Sequence, residues 1–395
     1  MFERELSQLE QQHLLRKPIT VESYQGANIT INKRRMLLMC SNDYLGLSQH
    51  PALKEAAASA MERYGFGSGA SRLVSGTSVI HEELEHRLSQ FKKSEATILF
   101  NSGYAANTGV IPALAQEGDM IFSDRLNHAS IIDGCRLSRA STRVYAHKDM
   151  NHLETLLKSR SHARRNLVVT DGVFSMDGDI APLPDLVLLA EKYNALLMVD
   201  DAHATGVLGK GGRGTVEHFG MEGRVPIQMG TLGKALGSHG AYVSGNRDLI
   251  DFLVNRARSY IYSTALPPAV CAASLAALQI IENDPARRKR LWLNRERFTA
   301  GLKSLQIDIG NSETPILPLM IGDNEQAIKV GVRLFESGIF ATAIRPPTVP
   351  EGTSRIRATL TASFSDHDIA MALAAVSKVW DEVFSPRHGS NNKHT

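Results

Sequence analysis

Leu196-Leu197-Met198-Val199-Asp200-Asp201-Ala202-His203 is a run of four apolar residues followed by two carboxylates and an imidazole. The apolar part does not alternate with polar residues, the mark of a short strand buried on both faces in a parallel sheet. Such a strand delivers Asp200 and His203 to its carboxyl end, where open α/β sheets bind ligands. An acid in that position can equally cap a helix starting near Ala202, so the rest of the chain has to decide.

Working outward, similar runs recur at Thr97 to Phe100, Met120 to Ser123, Leu167 to Thr170, Ile227 to Thr231 and Ala241 to Ser244, with helical periodicity between them. Several end in glycine or polar residues: Asn101-Ser102-Gly103, Asp171-Gly172 and Thr231-Leu232-Gly233-Lys234. The pattern predicts an α/β fold, with a large domain over 38–283 built on a mostly parallel sheet. After Asp284-Pro285 a long helical pattern reaches about Leu305. Extended segments follow near Ile316 to Ile321 and Arg355 to Leu360, with helices at Glu325 to Ser337 and Asp366 to Val383, predicting a smaller C-terminal α+β domain over 284–384. Residues 1–37 read as an N-terminal arm, helical around Glu5 to Arg16, stopped by Pro18, then extended through Ile29 to Leu38. The polar tail 385–395 is expected to be disordered.

With 395 residues, 43% of them hydrophobic and 22% charged, the chain can bury a large core. A formal net charge of +3 with no long basic tract gives no reason to expect nucleic acid. The run Arg287-Arg288-Lys289-Arg290 reads as a solvated helix face, with attraction of an anionic nucleotide carrier as the other use of such a cluster. Cys40, Cys135 and Cys271 share no metal-ligand spacing and leave one thiol over in any disulfide scheme, so a reducing compartment and no metal are expected. Met1 to Gln12 has no apolar core of a secretory signal, and no stretch approaches the roughly 20 apolar residues of a membrane span. The expected location is cytoplasmic.

Taken together, the strand ends offer what pyridoxal 5'-phosphate needs: an amine for its aldehyde, an anion cradle for its phosphate, and a carboxylate for its ring nitrogen. Lys234 follows an apolar strand between Gly233 and Gly237, although alone it reads as readily as a surface charge. Asn101 to Asn107 forms a strand-to-helix turn whose free amides suit a phosphate. His128, in Asp124-Arg125-Leu126-Asn127-His128-Ala129-Ser130, also follows a strand and presents an imidazole.

The order and spacing of seven segments resemble the α-oxoamine synthases, fold-type I pyridoxal phosphate transferases that condense an amino acid with an acyl thioester and release carbon dioxide. The segments are Ser41 to Leu47, Asn101 to Tyr104, the His128 stretch, Asp171 to Asp179, Val199 to His203, Thr231 to Lys234, and Tyr262 to Pro268. The resemblance, which runs from about Leu14 to Val383, implies that Lys234 carries the cofactor and Asp200 pairs with its ring nitrogen. It further implies that Ser175 and His203 contact the cofactor's oxygen side, that His128 stacks on the ring, and that Thr231 with the Gly103 and Tyr104 amides holds the phosphate. Ser263 and Thr264 would reach the neighbouring subunit's phosphate, which implies a homodimer with active sites at the interface. Asn42 and Arg357 would bind the amino-acid carboxylate. Thr342 to Arg357 is closer to the branch that joins L-alanine to a pimeloyl thioester, carried by coenzyme A or an acyl carrier protein, than to the branch that joins glycine to acetyl-coenzyme A. In that branch Thr348 contacts substrate and Arg16 lies near the pimeloyl chain. Ala362-Ser363-Phe364 departs from the family, which often has a histidine after a small pair.

Overall fold

The computed structural model describes residues 2–159 and 163–384; the tail at 385–395 lies outside the described residues. In chain order the strands are β1 (Asn28–Ile31), β2 (Arg34–Leu38), β3 (Ala96–Phe100), β4 (Met120–Asp124), β5 (Ser141–Tyr145), β6 (Asn166–Asp171), β7 (Leu196–Asp200), β8 (Ile227–Thr231), β9 (Ala241–Gly245), β10 (Ile316–Gly322), β11 (Ile339–Phe340), β12 (Thr342–Ile344) and β13 (Ser354–Thr359). A seven-stranded sheet has the order β3-β9-β8-β7-β6-β4-β5. Its β4 to β8 ladders are parallel, and β9 alone runs against its neighbours.

Both faces of this sheet are covered, which is why its strands read as unbroken apolar runs. Leu167, Val169, Met198, Ile227 and Met229 join one buried cluster, whereas Val168, Leu197 and Val199 join another on the opposite side. The period of two therefore carries Asp171, Asp200 and Thr231 onto the first face. Helices Gly103–Leu114 and Ala129–Ser138 cover that face, contributing Ala106, Val110, Ile111, Ile131 and Cys135. The expected α/β fold with a mostly parallel sheet is what the chain adopts. β5, which sequence reading omitted, is an edge strand whose first four residues are exposed, so it lacks the apolar run that marks the others.

A second sheet, β10-β13-β12, packs with helices Pro285–Ser304, Asn324–Glu336 and Asp366–Phe384. The arm differs from expectation at its helix, whereas its extended pieces lie where expected. Its helix spans Phe2–Gln11 and stops before Arg16, with His13 in the left-handed region at φ 56°. Its extended pieces, β1 and β2, form a third sheet with β11. The basic run differs as well: Arg288 is 8% exposed and donates to the Lys210 carbonyl, and Arg290 pairs with Asp366 at 2.7 Å. Two of these cations therefore tie the helix to its neighbours, Arg288 to the Lys210 loop and Arg290, part-exposed, to the helix Asp366–Phe384, and the run is not simply a solvated face.

Candidate active site

Three strand ends meet at one spot. Asp171 and Asp200 are register partners across β6 and β7, and Asp200 is the partner of Met229 in β8, whose chain continues to Thr231 and Lys234. Beyond β8 the backbone folds back through hydrogen bonds from Gly237 N to the Lys234 carbonyl and from Ser238 N to the Leu232 carbonyl, both 2.9 Å. Gly237 has φ +64°, and a side chain there would collide with the Leu47–Ser48 backbone. The glycine thus lets the lysine turn seat against the Ser41 to Leu47 segment.

A cavity of about 200 Å³ opens at this point. Gly103, Tyr104, His128, Ser175, Asp200, His203, Thr231 and Lys234 all line it, so eight residues singled out from the sequence converge. Lys234 Nζ lies 2.7 Å from His203 Nε2, and His203 Nδ1 lies 2.7 Å from the Tyr44 hydroxyl. Burial pushes the Lys234 ammonium down to about 8, against the pull of Asp200 and Asp171. An amine so placed has an accessible neutral form near neutrality, the form that attacks an aldehyde or takes a proton. Burial, reinforced by the positive charges of Lys234 and Arg357, drives His203 well below the ordinary histidine range. With Lys234 protonated, His203 accepts at Nε2 and donates from Nδ1 to Tyr44.

Asp200 is 3% exposed. One oxygen accepts from the Ala202 amide at 2.9 Å and the other from Asn107 Nδ2 at 2.8 Å. It thus does cap the turn after β7 and faces the cavity as well. Thr231 donates to the Gly240 carbonyl at 2.9 Å and accepts from Gly233 N at 3.2 Å. Gly103 and Tyr104 open a helix whose cap is Ser102, so amide donors face the cavity's rim. The Tyr104 hydroxyl is turned away onto Asp133.

Arg357, 6% exposed on β13, reaches over from the second sheet, donating to the Ser175 carbonyl and, at 3.2 Å, to Asn42 Oδ1. Asn42 in turn stands 3.5 Å from the Tyr44 hydroxyl. The remaining expected residues lie elsewhere in the single chain. Ser263 and Thr264 line a separate narrow cleft, where the Thr264 carbonyl accepts from Asn101 at 2.8 Å. Arg16 and Thr348 meet each other at 3.4 Å, both exposed and outside the lining of the cavity.

Four residues given no role from the sequence belong to this site: Asp171, Tyr44, Asn107 and Ser130. Asp171 accepts from the His128 amide at 2.7 Å, and burial beside Asp200 holds its carboxyl well above the usual carboxylate range. The period of two along β6 was the available signal for it. Tyr44 is 1% exposed, and burial pushes its hydroxyl up to about 12. Asn107 and Ser130 are buried on the two covering helices, where a polar side chain among apolar neighbours was the only sequence signal.

The chain matches the aminotransferase class I and II family model over residues 34–376. It is 53% identical over 381 residues, spanning 96% of this chain and 97% of the relative, to 8-amino-7-oxononanoate synthase of Geobacter sulfurreducens. Among solved structures, SPT with a PLP internal aldimine superposes with a TM-score of 0.92 at 31% identity, over 97% of both chains. The 8-amino-7-oxononanoate synthase of Francisella tularensis superposes with a TM-score of 0.75 at 32% identity, over 87% of this chain and 97% of that one. The chain belongs to the aminotransferase class I and II family, in keeping with its resemblance to the α-oxoamine synthases.

Proposed function

We propose that the chain condenses L-alanine with a pimeloyl thioester, giving 8-amino-7-oxononanoate, carbon dioxide and the free thiol carrier, the step named in its 53% identical relative. The observation that carries this reading is the single cavity in which Lys234, Asp200, His128 and His203 converge. The donor set there fits pyridoxal phosphate: a buried amine for the aldehyde, a strand-end carboxylate for the ring nitrogen, and helix-start amides with Thr231 for the phosphate. When bound, that cofactor supplies an electron sink for negative charge at the amino acid's α-carbon.

Lys234 would hold the cofactor's aldehyde carbon until the amine of L-alanine takes its place, and the freed Nζ would then accept the α-proton. Asp200 would keep a proton on the ring nitrogen. Ser175 and His203 would bond its oxygen side, and His128 would stack on the ring. Arg357 and Asn42 grip the alanine carboxylate, for which the planar guanidinium is shaped. His128 donates a hydrogen bond to the thioester carbonyl oxygen as negative charge gathers there. The thiol carrier would leave as the α-carbon bonds to the acyl carbonyl carbon, and carbon dioxide would then leave from the carboxylate that Arg357 and Asn42 hold, its bonding electron pair staying on the α-carbon to be reprotonated. Thr348 would contact substrate, and Arg16 would lie near the pimeloyl chain.

The working unit is a homodimer in a reducing, cytoplasmic setting. Phe66, Leu73, Val74 and Tyr262 stand exposed near the bridge Ser71↔Thr264, and a second copy of this chain would cover them. That copy would bring its Ser263 and Thr264 to the cofactor's phosphate. Cys40, Cys135 and Cys271 are free thiols. Among the described residues no helix is long and apolar enough to cross a membrane. The parts assigned are an arm (1–37), a large cofactor-binding domain (38–283) and a small domain (284–384).

Steady-state assays pairing L-alanine or glycine with pimeloyl- or acetyl-coenzyme A test the substrate assignment. Turnover is expected with L-alanine and pimeloyl-coenzyme A. Appreciable turnover with glycine and acetyl-coenzyme A alone would overturn the assignment and favour a glycine C-acetyltransferase.

A further inference from the structure

We propose that Asn107 and Ser130 are positioning residues that hold His128 with its proton on Nε2 and couple its orientation to Asp200. Asn107 lies fully buried in the helix Gly103–Leu114 among apolar neighbours. An amide placed there is costly unless hydrogen bonds compensate it. Its Nδ2 donates twice, to Asp200 Oδ2 at 2.8 Å and to Ser130 Oγ at 2.9 Å. The orientation of the amide is forced, because the opposite one would set its oxygen against the carboxylate, acceptor against acceptor. Asn107 Oδ1 is left without a hydrogen-bond partner, so the side chain serves as a two-pronged donor.

The consequence passes to His128 through Ser130. Ser130 Oγ accepts from Asn107, and its own proton is free to go to His128 Nδ1, 2.8 Å away. The Ser130 amide also donates to Nδ1, at 3.2 Å. Two donors aimed at one ring nitrogen require a lone pair on it, so the proton of the neutral ring resides on Nε2. Burial keeps the ring neutral, lowering its pKa below the ordinary value; Lys234 adds to that effect and Asp200 opposes it. His128 therefore offers an N–H donor, whereas the other tautomer would present a lone pair to a developing oxyanion and repel it. This inference rests on the proposed reading of His128 as the donor to the thioester carbonyl.

The test uses full-length protein labelled with ¹⁵N-histidine, loaded with pyridoxal phosphate and free of substrate, with the His128 signals assigned by their loss in His128→Gln. The expected result is a proton on Nε2 and none on Nδ1. Ser130→Ala removes the 2.8 Å hydroxyl donor and leaves Nδ1 only the longer 3.2 Å bond from the backbone amide, so it should raise the population of the other tautomer and lower kcat with pimeloyl-coenzyme A about tenfold, with the KM for L-alanine unchanged. Ser130→Thr, which restores the hydroxyl, should recover both properties. Asn107→Ala should in addition alter the absorbance of the bound cofactor, because Asp200 loses a donor. A proton on Nδ1 in the unmodified protein, or a Ser130→Ala variant with an unchanged tautomer, would overturn the proposal. The tautomer is read without substrate, so absence of turnover with L-alanine and pimeloyl-coenzyme A would sink the proposed reaction and leave the tautomer assignment standing.

Discussion

His147 shows how a single residue secures the site from outside it. Its two ring nitrogens lie 2.9 Å from Asp124 at the end of β4 and 2.9 Å from Asp179, which follows the Ser175 segment, and its ring meets Phe174 edge to face. Burial disfavours the imidazolium, but the Asp124 and Asp179 hydrogen bonds outweigh it and raise the pKa from 6.5 to about 9. Lys148 also faces Asp179, at 3.0 Å. Because the folded value is the higher one, the stabilisation is complete below about pH 6.5 and is lost as the pH climbs through about 9. The size is on the order of 3 kcal/mol. The thermal midpoint should therefore fall across that interval, and His147→Gln should remove most of the fall. A variant whose pH profile matches the parent would show that the clamp contributes nothing. Sequence reading named His128 and His203 but not this histidine, because its partners lie far along the chain and nothing local marks it.

At the scale of elements, the exit of β7 is held by a buried ion pair. Lys92, the last residue of the helix Val79–Lys92, lies 3.1 Å from Asp201, with side-chain exposures of 0% and 1%. Asp201 also accepts from the Thr215 amide and, at 2.6 Å, from its hydroxyl. The doubled acid Asp200-Asp201 thus divides its work, one carboxylate facing the cavity and the next anchoring the strand end from below. Lys92→Met would strand a buried carboxylate, with an expected loss of about 3–5 kcal/mol in urea unfolding. A loss under about 1 kcal/mol, the range of an exposed pair, would contradict the anchoring role. The strands of the main sheet were legible because burial on both faces leaves unbroken apolar runs. The arm helix was not legible to its end: Leu14 and Leu15 continue a helical pattern, yet the backbone turns at His13.

For the whole molecule, the expected site residues separate into a set that one chain assembles and a set that it does not. Lys234, Asp200, His128, His203, Ser175 and Thr231 share the cavity, whereas Ser263 and Thr264 stand apart beside an exposed apolar face. Val74, 80% exposed, belongs to that face. If a second copy covers it, Val74→Asp should shift the protein toward monomer in sedimentation and weaken pyridoxal phosphate binding together. Unchanged sedimentation would remove the proposed interface. Convergence across the sheet was legible because each candidate ends a strand, and parallel strands bring their carboxyl ends to one edge. The supports Asn107, Ser130 and Tyr44 were not, since only packing shows what a buried polar group touches.

The assignment of Lys234 as the cofactor's anchor is tested most directly by loading the protein with pyridoxal phosphate, reducing it with borohydride and mapping the modified peptide. A single modified residue, Lys234, is the expected result, and Lys234→Ala should leave the protein unlabelled. Stable labelling at any other lysine, with Lys234 unmodified, would contradict the account.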